Sequence, residues 1–483
     1  MAFEPWTSSS GLLVLWVLSS IVFFYAPSVL WMQPRASSPF VELYYSTASA
    51  VLSQDPASVA DGDASPVTLA QLVKRKVRAF SPEAGFNGVW WLPSGHAQTI
   101  YCSVGDFSKV DPIAYERKLL QLIDGGIIAI DVTPPLADQP AHSGERVLLV
   151  AHGLTGGSHE SYVRAALTRL TASEKSGGLG FRAVVVNYRG CNGCPVRTPK
   201  LYHAGSSDDI RPVALWVCRT FPDCSMYGIG FSLGANIMTK YAGEEGEDCP
   251  LSGMVVLANV WDFVKGSHHI ERGTLANRLL YQNVLGGALR ALLQLHQDVF
   301  LSAPSPPLSR ELLARIFRKW IVSLREYDEM VTAPLYGFKD AADYYYSISS
   351  SRFVERIRIP CLAINSLDDP IVGKSNLPLS QVSRSPWVVL AATRSGGHMG
   401  WFARSDTGER GVLERWYVRP LEQFFAALLE HGLRKRPVPE IDIDGEGFLR
   451  QRGRPAVEFI EIVPGAADTV VSGTKESRLF SGW

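Results

Sequence analysis

Two kinds of hydrophobic spacing alternate along most of this chain. Short, continuous β-branched or aliphatic runs occur at Arg146–Val150, Ala183–Val186, Met226–Ile229, Met254–Leu257, Cys361–Ile364 and Val388–Leu390, each ending in glycine or a polar turn. Uninterrupted apolar runs of this length mark strands that are buried on both faces. Helical spacing separates them over Ile210–Arg219, Leu233–Tyr241 and Gly411–Leu433. The alternation predicts βαβ units with right-handed crossovers, and hence an α/β fold: a mostly parallel central sheet with helices on both faces.

The pattern breaks between the fourth and fifth runs. Leu275, Leu279, Leu280, Val284, Leu289, Leu292 and Leu293 recur at helical spacing, and a second stretch runs through Leu312, Ile316 and Trp320. These predict a helical insertion over residues 260–350, placed above the C-terminal ends of the strands as a lid, or else extra core helices with no gating role. Outside the catalytic domain, expected over 67–435, the texture changes. Residues 36–66 are rich in Ser, Ala and Pro and read as a linker, and the polar, Gly- and Pro-interrupted residues 436–483 read as a peripheral tail.

Gly11–Met32 carries no charge. A helix of about 20 residues covers the ~30 Å hydrocarbon core of a bilayer, so residues 1–35 read as a single-pass membrane anchor. The leader has Glu4 and no basic residue, and no small-x-small site closes the run, which fits a cleaved signal peptide less well. Basic residues follow only on the C-terminal side (Arg35, then Lys74, Arg75, Lys76 and Arg78), which places the catalytic body in the cytosol. Seven cysteines in 483 residues, and no Asn-x-Ser/Thr sequon, agree with that side. With 47 acidic and 47 basic residues there is no field to draw in phosphates, so nucleic acid is not an expected partner.

Candidate chemistry begins at Gly230-Phe231-Ser232-Leu233-Gly234, which lies between an apolar strand-like run and a helical one. That context suits a nucleophile elbow, in which a sharp turn exposes a serine hydroxyl at the head of a helix and small residues must flank it. A serine hydroxyl needs a base, and the base needs an orienting carboxylate, in the chain order Ser, acid, His. Asp368-Asp369-Pro370 follows the Cys361–Ile364 run, with Asp369 the chosen acid and Asp368 the alternative. His398, in Gly396-Gly397-His398, follows the Val388–Leu390 run, while His431 falls in the C-terminal helix. Two backbone amides must hold the oxyanion. Leu233 supplies one, and Leu154, in the glycine-rich His152–Gly157 turn, is the expected second, with His152 bonding within that turn.

Other signals lead elsewhere. Cys191-Asn192-Gly193-Cys194 has C-x-x-C spacing without a second pair, so neither metal nor redox chemistry is expected and no cofactor is called for. His203 and Asp208 have the H-x4-D spacing of some acyltransferases, but Asp208 or Asp209 reads better as a helix cap.

Taken together, Trp91–Ile100, HGLTGGS at 152–158, NYRGC at 187–191, Tyr202–Gly205, Tyr327-Asp328, Thr332–Pro334, Tyr344-Tyr345, Asp368–Pro370 and Gly396–His398 resemble the YheT-like, embryogenesis-associated branch of the α/β-hydrolases. That branch includes fungal medium-chain fatty acid ethyl ester synthase/esterases and membrane-anchored animal phospholipases of the abhydrolase-domain type. The resemblance covers about residues 80–433. It implies an α/β-hydrolase fold and a serine esterase or acyltransferase acting on lipid-like acyl esters, with the acyl-enzyme on Ser232 resolved by water or an alcohol. Alternatives are an O-acyltransferase of a small natural product and, in a different class, a non-catalytic membrane-tethered scaffold.

Overall fold

The computed structural model describes residues 40–55, 66–404 and 413–463. Fourteen strands appear in chain order: β1 (Val41–Tyr45), β2 (Glu116–Leu122), β3 (Ile127–Thr133), β4 (Arg146–Ala151), β5 (Arg182–Asn187), β6 (Ser225–Phe231), β7 (Leu251–Leu257), β8 (Cys361–Ser366), β9 (Val388–Thr393), β10 (Phe402–Arg404), β11 (Leu413–Arg415), β12 (Ile441–Ile443), β13 (Leu449–Gln451) and β14 (Arg454–Ile462). Twelve of them form one sheet in the order β1-β9-β8-β7-β6-β4-β5-β3-β2-β14-β13-β12, and β10 and β11 pair separately. The run from β5 through β4, β6, β7 and β8 to β9 is parallel, while β3, β2 and β14 on one side and β1 on the other run antiparallel to their neighbours.

The parallel strands coincide with the six apolar runs, and every residue of β5, β7, β8 and β9 is buried. Side chains can be apolar on both faces there because helices cover both. One face packs α1 (Leu69–Lys76), α3 (Ser161–Thr171) and α10 (Val418–His431). The other packs α4 (Ile210–Thr220) and α5 (Leu233–Glu245), together with the insertion between β7 and β8. Helix α2 (Gly95–Val104) lies earlier in the chain, N-terminal to β2. The insertion is helical, as its spacing predicts, with α6 (Phe263–Arg272), α7 (Gln282–Leu295), α8 (Arg310–Arg318) and α9 (Ala341–Ile348) as its longest pieces.

Several expectations are corrected. Val41–Tyr45, placed in a linker, is an edge strand paired with β9, because Val41 turns inward onto the core. The tail is not merely peripheral. β14 pairs with β2, opposing Phe459 to Leu122, and the alternation within Val457-Glu458-Phe459 carries Val457 and Phe459 into the core. The helix expected from Gly411 begins at Val418, because Leu413–Arg415 pairs with Phe402–Arg404. Pro420 then falls in the first helical turn, where its missing N–H costs nothing.

The membrane placement is also corrected. Among the described residues no helix is long and apolar enough to cross a membrane. α7 and α10, at 14 residues each, fall short of the ~20 a crossing needs. Gly11–Met32 lies outside the described residues. The expectation of a single-pass anchor with a cytosolic body therefore finds no support among the described residues.

The buried Phe459, 1% exposed, gives the tail a measurable role. Phe459→Ala is expected to lower the unfolding free energy by about 3 kcal/mol in urea titration, where a loose tail would give almost no change.

Candidate active site

β6 ends at Phe231 and α5 begins at Leu233, so the reversal from strand to helix falls on Ser232 alone. Its backbone is held at φ 52° and ψ −114°, a costly conformation that persists only where the surroundings impose it. The flanking glycines show what imposes it. A Cβ on Gly234 would stand 2.3 Å from the carbonyl oxygen of Ala151 and 2.4 Å from that of His152. One on Gly230 would stand 2.7 Å from the carbonyl of Gly234. The Ser232 amide donates to the Leu257 carbonyl at the end of β7 (2.8 Å).

Asp369 follows β8. Its Oδ1 accepts from the amides of Ile371 (2.8 Å) and Val372 (2.9 Å), and its Oδ2 lies 2.8 Å from His398 Nδ1. Two amide donors and a ring N–H suit a carboxylate, and they leave the Nε2 lone pair of His398 facing the Ser232 Oγ at 2.7 Å. Ser232, Asp369 and His398 are all buried. The structure thus brings together the three side chains singled out from the sequence. Asp368 turns elsewhere: its Oδ1 accepts from the Ser366 hydroxyl (2.6 Å) and the Gly397 amide (2.9 Å), and burial raises its pKa. It braces the histidine loop rather than the imidazole.

The His152–Gly157 turn lies after β4. The amides of Gly153 and Thr155 donate to the hydroxyls of Tyr162 (2.9 Å) and Tyr202 (2.7 Å). Between them, the Leu154 amide has no acceptor among the described residues, and the same holds for Leu233. Both leucines line the cleft that Ser232 and His398 open into. His152 Nδ1 lies 2.7 Å from the Gly153 carbonyl and its Nε2 accepts from the Tyr188 amide (3.4 Å); burial pushes its pKa down to about 3, so the ring is neutral.

The cleft holds a cavity of about 90 Å³ within about 1020 Å³ of space that includes its solvent-filled mouth. It is narrow rather than roomy. Its walls are apolar side chains from the insertion, among them Phe263, Ile270, Leu285, Leu289, Leu292 and Leu324.

Some of the supporting residues carry no local sequence signal. Thr99 Oγ1 accepts from the His398 amide (2.8 Å) and donates to the Gly95 carbonyl (2.6 Å). Only the resemblance over Trp91–Ile100 pointed to that segment. Asp328 lines the cleft and is buried, accepting from the hydroxyls of Thr332 (2.7 Å) and Tyr345 (2.8 Å); burial pushes its pKa up to about 7. His203 and Asp208 do not pair: Asp208 is exposed and bonds Arg211, while His203 Nδ1 accepts from the Gly205 amide (3.1 Å). The capping expectation for Asp208 and Asp209 is corrected as well. Neither makes a side-chain cap, and Asp209 is taken by Arg189 at 2.8 Å. Cys191 and Cys194 are buried thiols, and burial raises the pKa of both.

The sequence model of a family described as alpha/beta hydrolase fold matches residues 146–394. A monoacylglycerol lipase of Saccharomyces cerevisiae is 30% identical over 74% of this chain and 84% of its own length. The embryogenesis-associated protein EMB8 of Picea glauca is 32% identical over 65% of this chain and 67% of its own. Medium-chain fatty acid ethyl ester synthase/esterase 2 of Saccharomyces cerevisiae is 29% identical over 69% and 84%.

The raised pKa of Asp328 has a consequence for stability. The folded chain holds this proton at pH values where the unfolded carboxyl, near 3.8, has lost it. Stability from this group is therefore lost as pH rises from about 4 to about 7. Asp328→Asn removes that loss, so the change in Tm, mutant minus wild type, is expected to be more positive at about pH 8 than at about pH 4.5 in scanning calorimetry. An equal change at both pH values counts against the raised pKa.

Proposed function

Because this chain belongs to the α/β-hydrolase fold family, in its YheT-like, embryogenesis-associated branch, we propose that it is a serine hydrolase that cleaves acyl esters through an acyl-enzyme on Ser232. One observation carries the reading: Ser232 Oγ, His398 and Asp369 are linked by contacts of 2.7 and 2.8 Å at the floor of a narrow apolar cleft.

In this mechanism His398 Nε2 takes the proton of Ser232 as the oxygen attacks the ester carbonyl. Asp369 fixes the ring tautomer and stabilises the imidazolium that forms. The amides of Leu154 and Leu233 receive the oxyanion, and such a donor is typically worth about 3 kcal/mol. His398 then returns the proton to the leaving alcohol, leaving an acyl ester on Ser232. A second acceptor, water or another alcohol, loses its proton to His398 and releases the acyl group as free acid or new ester. The apolar walls favour an alkyl acyl chain over a polar one. Support for a lipid-like ester also comes from the relatives, one named a monoacylglycerol lipase and another an ethyl ester synthase/esterase.

The decisive experiment offers p-nitrophenyl esters of graded chain length to the purified chain, with and without ethanol, beside fluorophosphonate labelling. Wild type is expected to be labelled and to release acid, with ester formation on adding ethanol marking transfer. Ser232→Ala is expected to lose both labelling and turnover. Labelling that persists in that variant sinks the nucleophile assignment.

The two neighbouring acids can be told apart by rate. Asp369→Asn is expected to lower kcat by a factor on the order of 10⁴, because it removes the acceptor that orients the imidazole. Asp368→Asn, which touches the loop but not the ring, is expected to cost far less. The reverse ranking assigns the role to Asp368.

A further inference from the structure

Asp328 is the one acidic side chain among the described residues lining the cleft, and no lysine or arginine lines it. It is 4% exposed. Burying a carboxyl without a counter-charge costs free energy, and an apolar side chain would complete the wall more cheaply. Its two hydrogen bonds come from within the insertion, from Thr332 Oγ1 and the Tyr345 hydroxyl. A carboxylate has about four acceptor sites, so with two donors Asp328 keeps acceptor capacity, and it is among the residues that line the cleft. The residue also opens one of the two five-residue π-turns described in the insertion, Asp328–Thr332, and the last residue of that turn bonds it; such turns recur at functional sites.

We propose that Asp328 is a specificity-determining residue that accepts a hydrogen bond from a hydroxyl carried by the bound ester away from its carbonyl, so that the cleft selects hydroxylated acyl esters over plain ones. The inference rests on the cleft being the acyl-ester site. A hydroxyl suits the position better than a cation does. Each carboxyl oxygen already holds one donor, and a hydroxyl adds another without bringing a charge, whereas an ammonium buried beside Val331 and Leu335 would also lose its hydration. With the pKa held up near 7, the group is only partly charged at neutral pH, which again favours a neutral partner. The hydroxyl can belong to the alcohol arm, as in a glyceryl ester, or to the far end of the acyl arm.

The test measures binding in the Ser232→Ala background, where esters stay intact. Calorimetry compares ethyl decanoate, glyceryl monodecanoate, the ethyl ester of ω-hydroxydecanoic acid and decanoylcholine. At least one hydroxylated ester is expected to bind about tenfold more tightly than ethyl decanoate, and adding Asp328→Leu is expected to bring that ratio near one. Whichever hydroxylated ester gains identifies the arm. A ratio that Asp328→Leu leaves unchanged overturns the proposal, as does decanoylcholine showing the largest gain that depends on Asp328. If Asp328→Leu does not fold, Asp328→Asn replaces it; a severalfold fall in the ratio is then expected, and an unchanged ratio overturns the proposal. Turnover by the chain with Ser232 intact is read separately. Its absence would sink the acyl-enzyme reading while the binding ratio still decides the role of Asp328.

Discussion

The structure depends on one close approach of two backbones. The head of α5 lies so near the end of β4 that Gly234 has no room for a Cβ beside the carbonyls of Ala151 and His152. That contact joins two segments far apart in the chain, and β4 and β6 are aligned to make it, with Ala151 opposite Gly230 in their register. It has two results at once. It forces Ser232 into its strained turn, which lifts the hydroxyl clear of both strand and helix. It also brings the amide of Leu233 beside the turn that carries Leu154, so that the groups needed at the two sides of a carbonyl lie at one place. A larger residue at 234 would separate them before it altered any side chain that touches substrate.

The remaining two members of the relay come from loops, which by themselves hold position poorly. Here they are tied to each other and to the N-terminal part of the chain. Gly397 has φ 59° and sits where a Cβ would stand 2.3 Å from the Gly95 carbonyl, while Thr99 on α2 receives the His398 amide. Asp368, next to the acid that meets the imidazole, bonds the Gly397 amide and so fastens the acid loop to the histidine loop. The two adjacent aspartates divide the work: one bonds the ring and the other bonds the backbone that carries the ring.

This division explains how far the sequence could be read. The parallel strands were legible because burial on both faces leaves an uninterrupted apolar run, and Ser232, Asp369 and His398 were legible because each follows such a run in a fixed order. β2 is hidden because charged and apolar residues mix over Glu116–Leu122, and β3, although fully buried, has an apolar run of only Ile127–Ile130 before Asp131 and pairs antiparallel on both sides, outside the βαβ alternation. The tail was misjudged for a related reason: only Val457 and Phe459 of its last strand reach the core, so composition outweighed alternation. Thr99 and Asp328 escaped because their roles arise from partners hundreds of residues away or from an irregular helical turn. No spacing rule reports either.

The insertion does more than wall the cleft. Asn277, on its first irregular turn, donates to the Pro370 carbonyl, and His269 Nε2 lies 3.2 Å from the same oxygen. Pro370 directly follows Asp369, so the helices that line the cleft also hold the loop whose acid meets the imidazole. His96 extends the same support, with Nδ1 2.8 Å from the Tyr281 hydroxyl, its pKa lowered chiefly by burial. A displacement of the insertion would therefore reach Asp369 through Pro370 before it reached Ser232, which is anchored in the sheet by Leu257 and the glycine contact. Ser232 is thus tied to the sheet, and Asp369 to a loop that the insertion braces. On the proposed acyl-ester reading, a substrate filling the cleft would pack against the elements that set the position of Asp369, so that binding energy from its acyl chain could be spent on aligning His398.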